Sequence, residues 1–210
     1  MDLKKLRLRY SVKKFDPTKK VSNEILENII DCFHLCPSSL NAQPWKLVVV
    51  SDPKLKEKLA EAGMDANKKR ILECSHLLIL MTRRLDMSHI HQVIDSTKML
   101  QIMMKKKGIS RFKFSLFMWA YSRLKGLNRW ASNQLYIALG FLLAACSELE
   151  VGALPMEGIR KGKLDRILGL GSEFRTQVAV AIGYPHADDL DNPSRIEKSR
   201  LPRDQVVQFF

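Results

Sequence analysis

Three short stretches of this 210-residue chain carry groups that could hold a phosphorylated ligand. In "RYSVKKF", Arg9, Ser11 and Lys13 fall on every second residue. In an extended segment such residues project to one side, so two cations and a hydroxyl converge as a phosphate monoester requires. Near the other end, "EKSRLP" repeats the alternation with Lys198 and Arg200 ahead of Pro202. Between them, "PSSLNAQPWKLVVV" sets Ser38, Ser39, Asn41 and Gln43 between Pro37 and Pro44, directly before a valine-rich run. The prolines fix the local backbone and the side chains offer hydroxyls and amides. This hook can cradle a polar ligand, or it can be a loop whose polar groups satisfy one another.

The elements that must position these groups follow from pattern. Ser22 caps a helix whose apolar residues Ile25, Leu26, Ile29, Ile30 and Phe33 recur at helical spacing, ending by Pro37. Lys46 to Ser51 reads as a short strand. Asp52 and Pro53 supply a cap and an N1 proline for the next helix, with Gly63 as its stop. His76 to Thr82, Val151 to Met156 and Thr176 to Tyr184 read as further strands, and Gly162 to Leu170 as a modest helix. Asn128 to Leu149 is apolar on nearly all sides, as a helix enclosed in a core or at a subunit interface is. Asp86 to about Lys125 has helical spacing and many basic residues. His186 to Arg200 is a polar surface arm, and the terminal "QVVQFF" is apolar enough to dock, for example on a partner's sheet edge. The sum is one α+β domain spanning 1–210, with about four core strands and helices on both faces.

Composition narrows the function classes. The chain has 35 Lys and Arg against 22 Asp and Glu, a net charge of +13 and a pI near 9.7. That excess suits a polyanion partner. The basic clusters at Lys4 to Arg9, Lys68 to Arg70 and Lys105 to Lys107 are scattered, however, without interleaved base-stacking aromatics. A solvated lysine-rich surface is the simpler reading, with no specific nucleic acid and no membrane as partner. "MDLKKLRLRYS" is too charged for a secretory signal, and Leu135 to Cys146 falls short of the roughly 20 apolar residues of a membrane helix. A cytoplasmic protein is expected. Cys32, Cys36, Cys74 and Cys146 sit in apolar contexts, as reduced core thiols do. His34 points away from a helical face shared by Cys32 and Cys36, and His89 and His91 diverge, so no metal site is expected.

Taken in order, Arg9, Ser11, Lys13, Phe15 and Asp16, then Pro37 to Trp45, then Pro155, Glu157 and Gly158, then Lys198 to Pro202, resemble the FMN-dependent nitroreductase family. The likeness is greatest to the oxygen-insensitive NAD(P)H nitroreductase and dihydropteridine reductase branch. It runs to about residue 202 and fails mainly between 84 and 127. The resemblance implies a nitroreductase-like α+β fold, a mostly antiparallel sheet flanked by helices, in an interlocked homodimer with exchanged C-terminal arms. It implies FMN as cofactor and NAD(P)H as electron donor. Arg9, Tyr10, Ser11 and Lys13 would line the phosphate, ribityl and pyrimidine edges, with Lys198 and Arg200 closing over the phosphate. Pro37, Ser38, Ser39 and Asn41 would come from the other subunit. Asn67 would meet the pyrimidine edge, and Arg70 stands where a lysine is usual near the flavin O2. Pro155, Met156, Glu157 and Gly158 match the segment beside flavin N5, so no protein group need be catalytic.

Hydride would pass from NAD(P)H to a small electron-poor acceptor such as a nitroaromatic, a quinone or a related compound, by a ping-pong sequence. Leu40 departs from a commonly polar position. The divergent stretch covers the substrate channel of relatives, where Phe112, Phe114, Phe117 or Trp119 could be the gating aromatic. A dehalogenase or flavin-fragmenting enzyme on the same fold is the nearest alternative, and a basic module binding nucleic acid or membrane surface a more distant one.

Overall fold

The computed structural model describes residues 2–84, 86–124 and 127–210. Four strands, β1 (Trp45–Val50), β2 (His76–Arg83), β3 (Gly152–Met156) and β4 (Phe174–Gly183), form a sheet in the order β1-β2-β4-β3. Every neighbouring pair is antiparallel. β2 is buried from His76 to Thr82, which is why it shows an unbroken apolar run instead of alternation. Both faces of this central strand are covered.

Alternate residues of the strands enter two apolar layers. Leu77, Ile79 and Met81 face one side with Ala179 and Ala181, where helices α3 (Pro53–Ala60), α4 (Asn67–Glu73) and α9 (Lys161–Leu168) contribute Leu59, Ile71 and Leu164. Leu78, Leu80, Val178 and Val180 face the other, against α2 (Asn23–His34) and α8 (Leu127–Glu148) through Ile29, Phe33, Leu135 and Leu142. Burying each such side chain contributes about 1.5–3 kcal/mol. A third cluster joins α5 (Met87–Ser96), α6 (Lys98–Lys106) and α7 (Arg111–Leu124) around Ile90, Val93, Phe114 and Met118, and takes in Ala42 of the hook.

The capping signals act as the sequence requires. Ser22 Oγ accepts from the Ile25 N–H at 3.3 Å and Asp52 from the Leu55 N–H at 2.6 Å, each replacing a partner that a helix start lacks. α3 ends at Ala60, three residues before Gly63. Cys36 lies beyond the end of α2, so it does not share a helical face with Cys32 as the spacing suggested. Among the described residues no group of His, Cys, Asp or Glu could hold a metal ion, and no helix is long and apolar enough to cross a membrane.

Both chain ends meet at the outer edge of β3. A short helix α1 (Leu3–Leu8) buries no residue, so apolar periodicity gave no sign of it. After it, Ser11 forms a parallel bridge to Ala153, and Phe15 an antiparallel bridge to Pro185. Val12 turns inward and is buried, which leaves its neighbours Ser11 and Lys13 on the other side, and the alternation ends before Phe15, which is buried as well. Gly152 permits this approach: a Cβ there would stand 2.6 Å from Val12 Cγ2.

Candidate functional site

Arg9, Tyr10, Ser11, Lys13, Lys198 and Arg200 line one cavity of about 410 Å³. The alternations at the two ends of the sequence therefore converge. What brings them together is Asp189, 1% exposed, whose Oδ2 accepts from the Lys13 backbone N–H at 3.0 Å and the Tyr10 hydroxyl at 3.2 Å. This buried carboxylate fastens the C-terminal arm to the N-terminal segment. Lys198 Nζ donates to the Leu6 carbonyl at the end of α1, 2.9 Å away.

The cations repel one another. Burial and then the Arg200 charge hold the Arg9 guanidinium below its ordinary range. Burial, then Arg9 and Arg200, lower Lys198. Asp191 and Glu197 also line the cavity, but among the described residues no carboxylate is ion-paired with Arg9, Lys13, Lys198 or Arg200. A bound anion of high charge would relieve this mutual repulsion.

A strip of hydrogen bonds continues from the cavity towards the end of β3. Arg70 Nε donates to the Lys13 carbonyl at 3.4 Å, and its Nη1 to Asn67 Oδ1 at 2.7 Å. Asn67 Nδ2 in turn donates to the Gly158 carbonyl at 2.9 Å. Beside it the Tyr136 hydroxyl donates to Glu157. Burial, then that hydrogen bond, push the Tyr136 phenol up to about 12. Pro155 belongs to β3 and is half-buried, whereas Met156 turns its side chain into the core and offers the strip only backbone.

The hook lies elsewhere. It leads into β1, at the edge of the sheet opposite β3, roughly 14 Å away across three strand spacings. Ser39–Asn41 forms a 3-10 turn, and Leu40, Asn41 and Gln43 have φ of 58°, 51° and 43°. Three non-glycine residues in the left-handed region within four positions are strained, and such strain concentrates at ligand sites. Much of the hook's polarity is spent on holding this shape. Ser38 Oγ accepts from the Gln43 N–H (2.9 Å), the Ser39 N–H donates to Gln134 Oε1 (2.8 Å), and Asn41 Nδ2 donates to Thr97 Oγ1 (2.8 Å). His89 Nε2 lies 2.7 Å from the Ala42 carbonyl.

Asp189, Tyr136, Gln134 and Thr97 hold these segments in place and were not singled out by pattern, and His89, weighed in the sequence only as a metal ligand, holds the hook instead. Asp189 sits in "HADDLD", where no spacing distinguishes it from its neighbours. Of the aromatic candidates, Phe114 is buried in the third cluster, while Phe112 and Phe117 are exposed. The Trp119 ring lies under Arg123, 4.3 Å from its guanidinium carbon.

A family model described as the nitroreductase family matches residues 6–184. The chain belongs to the nitroreductase family. The major NAD(P)H-flavin oxidoreductase of Aliivibrio fischeri is 30% identical over 214 residues, covering 98% of this chain and 96% of that protein. YfkO of Bacillus subtilis is 34% identical over 190 residues, covering 84% of this chain and 85% of that protein. Among solved structures, a nitroreductase family protein of Streptococcus pneumoniae TIGR4 superposes with a TM-score of 0.80 at 20% identity, covering 99% of both chains. A protein of Exiguobacterium sibiricum solved in complex with FMN gives 0.77 at 17% identity, covering 100% of this chain and 98% of that one. The nitroreductase fold expected from the motifs is the fold found.

Proposed function

We propose that this nitroreductase-family chain is an NAD(P)H-dependent flavin oxidoreductase that holds FMN at the seam of a homodimer and reduces small electron-poor acceptors such as nitroaromatics and quinones. The observation that carries the reading is the convergence of Arg9, Lys13, Lys198 and Arg200 on one cavity, none of them ion-paired with a carboxylate among the described residues. The residues fit FMN. The cavity suits a phosphate dianion, and the Lys13, Arg70, Asn67 and Gly158 strip beside it offers the amide, cationic and backbone groups that a flavin ring edge would meet.

FMN, when bound, supplies the hydride chemistry. The chain positions it and sets the field around it. Arg9, Lys198 and Arg200 would hold the phosphate, Ser11 and Lys13 the ribityl and pyrimidine side, and Arg70 would place positive charge near the edge where flavin charge collects. Glu157, held by Tyr136, and Gly158, held by Asn67, would fix the backbone beside the reacting ring. One open face would serve donor and acceptor in turn, which is the ping-pong order.

The hook supports a dimer. It is strained and shaped, yet it stands across the sheet from the strip, so a second copy is the simplest way to bring Pro37, Ser38, Ser39 and Asn41 to the ligand. Tyr136, Ile137 and Phe141 of α8, and Leu201, Val206, Phe209 and Phe210 of the tail, are exposed apolar groups that a partner would cover. We read the tail as an arm exchanged between subunits.

A visible spectrum tests the reading, followed by bleaching with NADH or NADPH without air and reoxidation by a nitroaromatic. A colourless protein that takes up no added FMN would end it. Light scattering that finds only monomer would remove the dimer and leave the cation site to be explained alone.

A further inference from the structure

A second basic cavity, of about 900 Å³, begins at Lys161, three residues beyond Gly158 of the strip. Arg129 of α8, Lys161 and Arg166 of α9, and Arg175 of β4 line it, with Asp165 as its one carboxylate among the described residues. Asp165 is already engaged: its Oδ1 accepts from the Thr176 N–H at 3.0 Å and from the Thr176 hydroxyl at 2.7 Å. Among the described residues none of the four cations is ion-paired with a carboxylate. Other basic side chains nearby are paired, Lys163 with Glu61 at 2.8 Å and Arg83 with Glu173 at 2.6 Å. Arg166 and Arg175 make only weak contacts to backbone carbonyls, at 3.3 and 3.5 Å, so most of their donors are unspent.

The cavity is well placed for a nucleotide. Ser132, which lines it, is one helical turn before Tyr136, roughly 6 Å along α8. Lys161 follows Glu157 by four residues. Two chain segments thus lead from the Tyr136 and Glu157 pair, which the flavin reading sets beside the ring, to residues that line the basic cavity. A donor whose nicotinamide lies over the ring has its adenosine some distance away, and NADPH differs from NADH only in a phosphate monoester on that adenosine. A phosphate monoester is what unpaired guanidinium groups recognise best. Among the described residues no aromatic side chain lines the cavity, so they offer no stacking platform of the kind single-stranded nucleic acid uses.

We propose that the cavity formed by Arg129, Lys161, Arg166 and Arg175 binds the 2′-phosphate of NADPH and makes the enzyme prefer NADPH to NADH. This deepens the flavin oxidoreductase reading and rests on it. The test is the exposed pair Arg166→Ala with Arg175→Ala, and independently Arg129→Ala. By calorimetry the unaltered protein should bind adenosine 2′,5′-bisphosphate about tenfold more tightly than adenosine 5′-monophosphate, and the double variant should lose that difference. In turnover, kcat/KM for NADPH should fall about tenfold while that for NADH changes less than about twofold. FMN affinity should be unchanged in every variant. Equal losses with both donors, or bisphosphate binding that ignores the substitutions, would overturn the proposal. So would displacement of the bisphosphate by millimolar inorganic phosphate with no NADPH preference, or far tighter binding of a single-stranded oligonucleotide. A protein that binds no FMN would defeat the flavin reading, while the calorimetric comparison would still decide whether this cavity takes the 2′-phosphate.

Discussion

The Asn67 side-chain amide lies 2.9 Å from the Gly158 carbonyl, and a Cβ added to Gly158 would come within 2.9 Å of the same Asn67 Nδ2. Asn67 cannot easily retreat, because Arg70 Nη1 holds its Oδ1 at 2.7 Å. Gly158→Ala should therefore break the strip at its centre. A loss of about 1–2 kcal/mol is expected, the scale of one or two hydrogen bonds, together with about tenfold weaker FMN binding. Thermal denaturation and flavin fluorescence titration measure the two effects. Full FMN affinity in the variant would show that the strip does not touch the ligand.

Arg200 offers a sharper separation of function from structure. Its charge depresses both Arg9 and Lys198, so it opposes its neighbours when no anion is present. Removing it as Arg200→Ala should leave the ligand-free protein as stable as before or slightly more so. FMN affinity should fall about tenfold to a hundredfold, the worth of one charge-assisted contact to phosphate. A structural arginine would show the reverse, with lower stability and unchanged binding. Inorganic phosphate should raise the melting temperature of the unaltered protein more than that of the variant.

Asp189 predicts a different defect. As Asp189→Ala the Lys13 N–H and the Tyr10 hydroxyl both lose their acceptor, at an expected cost of about 2–3 kcal/mol. The arm should then loosen from its fastening outward, letting the backbone at Arg195, Lys198 and Arg200 adapt to a protease. Limited trypsin digestion followed by mass spectrometry should show earlier cleavage there than in the unaltered protein. Digestion at the same rate would mean that other contacts hold the arm.

Strands and caps were legible because they depend on local chemistry. The unbroken run from His76 to Thr82 could hardly be exposed, and Asp52 followed by Pro53 admits few structures other than a helix start. The strand ends shifted by only one or two residues. The two cationic alternations were legible as chemistry, yet their meeting was not, since it depends on Asp189, one acid among several in the arm. The hook illustrates a different limit. Its residue types suit either a ligand cradle or a self-satisfied loop, and the structure spends Ser38 and Asn41 on the loop itself. What sets it apart in the structure is its left-handed backbone, and in "SSLNAQ" only Asn41 is of a type that favours positive φ, while Leu40 and Gln43 give no such sign. α1 was hidden for a simpler reason: it buries nothing, so no apolar stripe marks it.

His89 links that strained hook to pH. The imidazole is buried, its Nε2 donates to the Ala42 carbonyl at 2.7 Å, and its Nδ1 has no hydrogen-bond partner among the described residues. Burial lowers its proton affinity and Arg83 adds to this, against the opposing effects of the Ala42 carbonyl, Asp86 and Glu173. Protonation of the folded protein is therefore harder than that of the unfolded chain. With the folded value below an unfolded value near 6.5, the unfolded state takes up more protons as the solution is acidified. Stability is fully present above about pH 6.5 and is lost as pH falls from there through the folded value. His76 contributes with the same sign, through burial first and then the charges of Lys56 and Lys20. Melting curves from pH 8 to pH 5 should thus decline on the acid side. His89→Gln has no proton to gain, so its curve should be flatter than that of the unaltered protein over that range. An equal slope in the two proteins would assign the acid sensitivity to His76 and other groups, and would release His89 from any role in holding the hook through its charge state.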